Sequence, residues 1–496
     1  MVFGGCLFMV EYAAMKIVYL SSEATPFAKT GGLADVAGAL PKFLAKLGLE
    51  TRLFLPLYQE VRKKNLPLRK ILDDHPLVWG SRKERFSVWQ GSEDSQFAFF
   101  IEKDKWYDRD NLYGTPAGDY PDNGERFAFY SLAALETMRA LDFGPDIVHA
   151  HDWQSAISLA YLKFLYAGRP PFDHTRSLFT IHNLAYQGLF ENALLARIGL
   201  PGDLFKPEHL EFYGKINFLK AGILYSTAVN TVSPRYSREI QTHEFGFGLD
   251  GLLRQRKDVL SGILNGVDYS DWNPGHDNFL TVRYSSDNIR GKAEIKAELL
   301  QMFGLPLSAK EAPLIGMVSR LAGQKGLDIL LEALPGLMAS GVKLIILGMG
   351  EEKIQKALLE ARDRYPSFLG LKVAFDDSAA HKIYAGCDMF LIPSRYEPCG
   401  LTQMYSLKYG TIPIVRATGG LDDSIQEFHP GSRRGDGFKF WDYSADALLK
   451  AVRTAVKVYT DKPAWNALIQ NAMASDFSWE KSAGQYLALY KKIAGA

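Results

Sequence analysis

The chain has 496 residues, 47% of them hydrophobic and 23% charged, with a formal net charge of +1. That is apolar material for large cores and roughly two to four domains, and the near-neutral balance gives no electrostatic case for a nucleic-acid or membrane partner. Cys6, Cys387 and Cys399 have no CxxC or Cys/His spacing for zinc, and so sparse and odd a count fits a reducing cytoplasm better than a disulfide-stapled secreted protein.

Residues 1–14 are apolar but carry no Lys or Arg. They lack the positive start of a secretory signal and are too short to span a bilayer. From Met15 onward one theme recurs: a short apolar strand, a turn bearing Gly, Ser or Asp, then an amphipathic helix. This is the βα signature of parallel, doubly wound sheets. Strands are expected at 16–20, 52–55, 147–150, 177–181 and 228–232, with a helix over 33–47. A second series is expected at 314–318, 343–347, 371–375, 389–392 and 412–415. The polar stretch 273–287 reads as a loop, and 479–493 has helical periodicity. Two such series predict an α/β fold of two Rossmann-like domains facing each other across a cleft. Their expected spans are 15–260 and 261–475, with the helix of 476–496 packing back on the first.

Open parallel sheets bind ligands beyond the carboxyl ends of their strands, so the chemistry is sought there. Lys29-Thr-Gly-Gly-Leu-Ala-Asp-Val36 follows the first strand. Gly31 and Gly32 let backbone amides approach an anion, with Lys29 adding charge, although an ordinary turn reads the same way. Arg320 and Lys325 follow the first strand of the second series, where cations suit a diphosphate leaving group; a solvated loop is the alternative. Glu397 precedes a helix over 401–408. Cys399, Gly400 and Leu401 lead into its free amides, and the competing role for Glu397 is a helix-dipole contact. His149-Ala-His-Asp152 looks like a metal site, but the two histidines are read as pointing to opposite faces of a strand. That leaves Asp152 at the strand end and His149 in the core. His182 ends the next strand. Gly348 lies in a second Gly-rich turn, and Phe375, placed at a strand end, either stacks on a base or packs in the core. Thr418, Gly419 and Gly420 offer amides to a phosphate. Asp108-Arg-Asp110 does not end a strand and is read as surface loop, so no metal is expected.

The Lys29–Val36 motif resembles the start of bacterial and plant-type glycogen and starch synthases. The resemblance continues through Tyr120-Pro-Asp-Asn123, His149-Ala-His-Asp-Trp153, Thr180-Ile-His-Asn-Leu-Ala-Tyr-Gln-Gly188, Leu264-Asn-Gly-Val-Asp268, Ser319-Arg-Leu321, Glu397-Pro-Cys-Gly-Leu-Thr-Gln403 and Thr418-Gly-Gly-Leu421. It implies the two-domain GT-B architecture and a cytoplasmic, retaining ADP-glucose:α-1,4-glucan glucosyltransferase; the alternatives are another retaining GT-B transferase using UDP-glucose and a catalytically inactive glucan-binding protein. Its partners are ADP-glucose and glucan, with no cofactor. The nucleotide sugar belongs to the second domain and the acceptor to the first. By the same resemblance Arg320 and Lys325 meet the phosphates, and Glu397 is the key carboxylate. His182, Tyr186, Gln187 and Asn265 surround the glucose. Asp422 departs from the family pattern, which has Ala there, and adds negative charge beside the expected phosphate site.

Overall fold

The computed structural model describes residues 14–115 and 117–495. The reading of the N-terminal stretch therefore lies almost wholly outside the described residues. The chain divides into two compact units. One holds residues up to Asn230, Gly251–Leu260 and those from Ala483; the other holds Thr231–Asp250 and Ser261–Ser482.

The first unit is built on β1 (Lys16–Leu20), α1 (Gly32–Lys46), β2 (Glu50–Pro56), β3 (Leu68–Trp79), β4 (Arg82–Gly91), β5 (Ala98–Glu102), α2 (Asn123–Ala140), β6 (Ile147–His151), α3 (Asp152–Phe164), β7 (Arg176–Ile181), α4 (Phe218–Tyr225) and β8 (Ala228–Thr231). These strands lie in one sheet in the order β8-β7-β6-β1-β2-β5-β4-β3. Around β1 the pairing is parallel, with Ile17 beside Ile147 on one side and Thr51 on the other. Continuous apolar runs suit such a strand, covered on both faces. Ile17, Val18, Tyr19 and Leu20 are fully buried, each aliphatic side chain contributing about 1.5–3 kcal/mol. The far edge departs from the parallel expectation, because β3 and β4 form an antiparallel hairpin and β4 pairs antiparallel with β5. Charges along β3 and β4 hide this hairpin from an apolar-run reading, and they suit an edge exposed to water.

The second unit opens with α5 (Pro234–Glu239). It continues through β9 (Leu314–Val318), α6 (Leu327–Ala339), β10 (Lys343–Leu347), α7 (Glu352–Arg364), β11 (Leu369–Lys372), α8 (Asp377–Gly386), β12 (Met389–Ile392), α9 (Thr402–Lys408), β13 (Ile412–Arg416), α10 (Gly419–Ser424), β14 (Phe438–Phe440), α11 (Ala445–Thr460) and α12 (Lys462–Ala474). The sheet order is β11-β10-β9-β12-β13-β14, parallel throughout, which is the doubly wound arrangement. The third strand ends at Lys372, not at Phe375 as expected. The cause is Asp376, whose side chain caps α8 by accepting from the Ala379 amide, so the chain must leave the sheet before it.

The last helix, α13 (Trp479–Ala494), contributes two tyrosines to the first unit's core. The Tyr490 hydroxyl lies 2.8 Å from His149 Nδ1 and 3.0 Å from the Tyr19 hydroxyl, and Tyr486 accepts from Asn230 at 3.1 Å.

Candidate active site

In the second unit, connections leave β9 and β12 in opposite directions, which opens a crevice at their carboxyl ends. The two loops there carry the expected residues. Lys325 Nζ sits 2.6 Å from Glu397 Oε2, and Ser394 Oγ donates to the same oxygen at 2.9 Å. Glu397 is only 8% exposed, so its charge is expensive unless paired, and Lys325 pairs it. Arg320, on the same loop as Lys325, is exposed; among the described residues its guanidinium has no ion-pair partner.

Backbone contacts lock these loops together. The Arg395 amide donates to Gln324 O at 2.8 Å, and Gln324 Nε2 donates to Tyr396 O at 3.0 Å. Gly348 lies against the loop after β9: a Cβ there would sit 1.9 Å from Ser319 O. Cys399, Gly400 and Leu401 lead into α9, with Leu401 at the N-cap position. Burial pushes the Cys399 thiol up to about 12, while the Asn265 backbone amide hydrogen-bonds to it. Asn265 Oδ1 and Ser319 Oγ are buried polar atoms without a partner among the described residues, which marks them as groups able to meet a ligand. Phe375 is 80% exposed, so it does not pack in the core.

Thr418, Gly419 and Gly420 begin α10, but the amides expected to meet phosphate have internal partners. The Gly419 amide donates to both oxygens of Glu239, at 3.0 and 3.1 Å, and Thr418 Oγ1 donates to Glu239 at 3.2 Å. The Gly420 amide donates to Glu397 O at 3.1 Å. Added Cβ atoms would lie 1.9 Å from Glu397 O at Gly419 and 2.1 Å from Cys399 O at Gly420. Both glycines are thus required because the Glu397 loop passes directly over them. The extra charge of Asp422 is met by Lys439 at 2.9 Å and Arg235 at 3.8 Å.

In the first unit, the Lys29–Gly32 turn is likewise filled from within. Glu23, 4% exposed, accepts from the amides of Thr30 and Gly31 at 2.5 and 3.0 Å and from the hydroxyls of Thr30 and Tyr113, both at 2.7 Å. Lys29 pairs with Asp35 at 2.7 Å. Gly31 is the N-cap position of α1 and Gly32 its first residue, and neither has an atom within 4 Å of where a Cβ would lie.

Asp152 and His182 meet at the ends of β6 and β7: Asp152 Oδ1 accepts from the His182 amide at 2.7 Å. Burial, with a lesser contribution from the charge of Glu23, raises the Asp152 carboxyl to about 7. Its backbone is left-handed, φ 51°, a conformation rare for a residue with a side chain and frequent where a site stores strain. Burial lowers His182 to about 3, so the ring is neutral at pH 7 and acts through hydrogen bonds. His182 Nε2 lies 3.0 Å from His151 Nδ1.

The face assignment of the two histidines is corrected. Residues two apart on a strand share a face, and the His149 and His151 rings lie 4.0 Å apart. His149 is nevertheless a core residue, buried and hydrogen-bonded through both nitrogens to Tyr490 and Thr180. Among the described residues no group of three or more His, Cys, Asp or Glu could hold a metal ion. Tyr186 is half exposed, whereas Gln187 is buried and accepts from Asn217 Nδ2 at 2.6 Å. Sequence reasoning missed Glu23, Ser394 and Glu239. Glu23 left a trace as a lone acid between the first strand and the glycine turn, and Ser394 as the middle of Pro393-Ser-Arg395.

Residues 16–255 match the family described as starch synthase catalytic domain, and residues 305–474 the family described as glycosyl transferases group 1. A glycogen synthase of Koribacter versatilis is 47% identical over 485 residues, 96% of this chain and 98% of its own length. One from Thermotoga maritima is 43% identical, covering 96% and 99%. Among solved structures, the catalytic domain of starch synthase IV from Arabidopsis thaliana bound to ADP and acarbose aligns with TM-score 0.89 at 33% identity, over 97% of this chain and all of that one. Sucrose-phosphate synthase of Thermosynechococcus elongatus aligns at TM-score 0.59 and 17% identity, over 97% and 99%, and shares the fold. With two Rossmann-like units, a Lys–Glu pair at the switch point of the second and relatives that match it along nearly its whole length, this chain belongs to the glycogen and starch synthase family of glycosyltransferases.

Proposed function

We propose that the chain elongates an α-1,4-glucan by moving glucose from ADP-glucose to the non-reducing end, with retention of configuration, in the cytoplasm. The observation that carries this reading is the Lys325–Glu397 contact at 2.6 Å, with Arg320 on the same loop and without an ion-pair partner among the described residues, at the place where doubly wound sheets bind ligands. The ADP of the Arabidopsis structure supports the choice of donor.

As the anomeric C–O bond breaks, negative charge grows on the departing diphosphate and positive charge on the glucosyl carbon. Arg320 and Lys325 neutralise the first. Glu397 offsets the second, and both effects are larger in the transition state than in the ground state. The acceptor hydroxyl attacks on the face the phosphate leaves, and its proton goes to that phosphate. The second unit, with Asn265, Gly348, Phe375 and the Cys399–Leu401 turn, holds the nucleotide sugar. The first unit, with Asp152, His182, Tyr186 and Gln187, serves glucose and acceptor. Lys29, Gly31 and Gly32 belong to the same end of that unit. Thr418, Gly419 and Gly420 support the Glu397 loop from behind.

Incubation with glycogen and either ADP-glucose or UDP-glucose tests the proposal, by released nucleotide and polymer growth. ADP-glucose should be the better donor and activity should survive EDTA. Equal or faster turnover with UDP-glucose refutes the donor assignment.

A further inference from the structure

We propose that Glu239 is a positioning residue for the transfer step, acting through the backbone of Glu397; this rests on the role given to Glu397 above. Glu239 ends α5, 179 and 180 positions from Thr418 and Gly419, which it holds. Its side chain is 8% exposed, and its carboxylate receives the Gly419 amide, the Thr418 hydroxyl and Arg235 Nε, the last at 3.0 Å. A buried carboxylate with this donor set holds the start of α10 rigidly, because each bond is charge-assisted.

The next link is steric as well as polar. Gly419 and Gly420 lie under the Glu397–Cys399 turn so closely that neither tolerates a Cβ, and the Gly420 amide donates to both Glu397 O and Pro398 O at 3.1 Å. Moving the start of α10 therefore moves the Glu397 backbone. The Glu397 carboxylate is in turn fixed by Lys325 and Ser394 on the far side of the turn. Glu397 is thus gripped at both ends: its side chain by the loop after β9 and its own turn, and its backbone by a platform that Glu239 clamps. A group that must meet transition-state charge loses most of its benefit when displaced by a fraction of an ångström. Glu239→Gln keeps the shape, but its amide nitrogen faces donors it cannot accept from.

The test is a double-mutant cycle between Glu239→Gln and Glu397→Gln, with kcat measured beside a calorimetric ADP affinity. Glu239→Gln should lower kcat about tenfold, the rate equivalent of losing one charge-assisted hydrogen bond, and leave ADP affinity within about twofold. In the Glu397→Gln background the same change should have almost no effect on kcat, because it has nothing left to position. Thr418→Val removes one of the three donors and should give a smaller loss of the same kind; it carries the test if Glu239→Gln does not fold. Full kcat in Glu239→Gln, equal losses in both backgrounds, or parallel losses of kcat and ADP affinity would overturn the proposal. Full kcat in Glu397→Gln alone would instead refute the role of Glu397.

Discussion

Glu397→Gln isolates charge from shape. The carboxylate is 8% exposed, so an effective dielectric near 20 applies rather than that of water, and a unit charge about 4 Å away interacts by ~4 kcal/mol. If half a charge develops on the glucosyl carbon, the loss on removing the carboxylate is ~2 kcal/mol, and with a full charge ~4 kcal/mol. In rate that is roughly thirtyfold to a thousandfold in kcat. Ground-state binding should respond differently. Lys325 Nζ lies 2.6 Å from the carboxylate, and without that partner its whole charge is available to phosphate, so ADP affinity should hold or tighten. The assay is steady-state kcat with saturating glycogen, beside a calorimetric ADP affinity. A helix-dipole role predicts near-normal turnover and a stability loss under ~1 kcal/mol. Wild-type kcat, or a fall in ADP affinity parallel to the fall in kcat, refutes the argument.

Lys325→Ala should weaken both kcat and ADP affinity, each by about tenfold or more, since its charge serves phosphate in both states and its loss also strands Glu397; calorimetry and turnover on one preparation check this. Asp152→Asn tests buried charge. The folded carboxyl is raised to about 7, so between pH 4 and 7 the folded state binds more protons than the unfolded one and wild-type stability falls as pH rises. The Asn variant escapes this and should be more stable than wild type at pH 8, by on the order of 2–4 kcal/mol, and nearly equal at pH 4; identical melting shifts at both pH values would count against it. Gly420→Ala places a Cβ 2.1 Å from Cys399 O. Backbone there cannot yield without carrying the Glu397 turn with it, so kcat should drop at least tenfold in a folded protein, and a circular dichroism melt beside the turnover assay separates the two effects.

Much was open to reading along the chain. Buried parallel strands need apolar residues on both faces, so runs such as Lys343–Leu347 announce themselves, and the sequence placed Arg320, Lys325 and Glu397 beyond strand ends without help from packing. Local rules failed where polarity or capping intervened: the charged hairpin of β3 and β4 lacks an apolar run, and the cap at Asp376 ends β11 three residues before Phe375. The glycine turns are ambiguous for a different reason. Both Lys29–Gly32 and Thr418–Gly420 have the composition of anion cradles, and composition cannot say which anion fills them. Glu23 lies seven positions from Thr30 and Glu239 180 positions from Gly419. Which carboxylate reaches which amide is set by how the chain returns on itself, because a hydrogen bond acts over about 3 Å of space and is blind to separation along the chain. The sequence by itself determined the residue types and most of the strand ends that carry them; only the tertiary structure decided that two of the expected anion cradles are occupied by the protein's own acids.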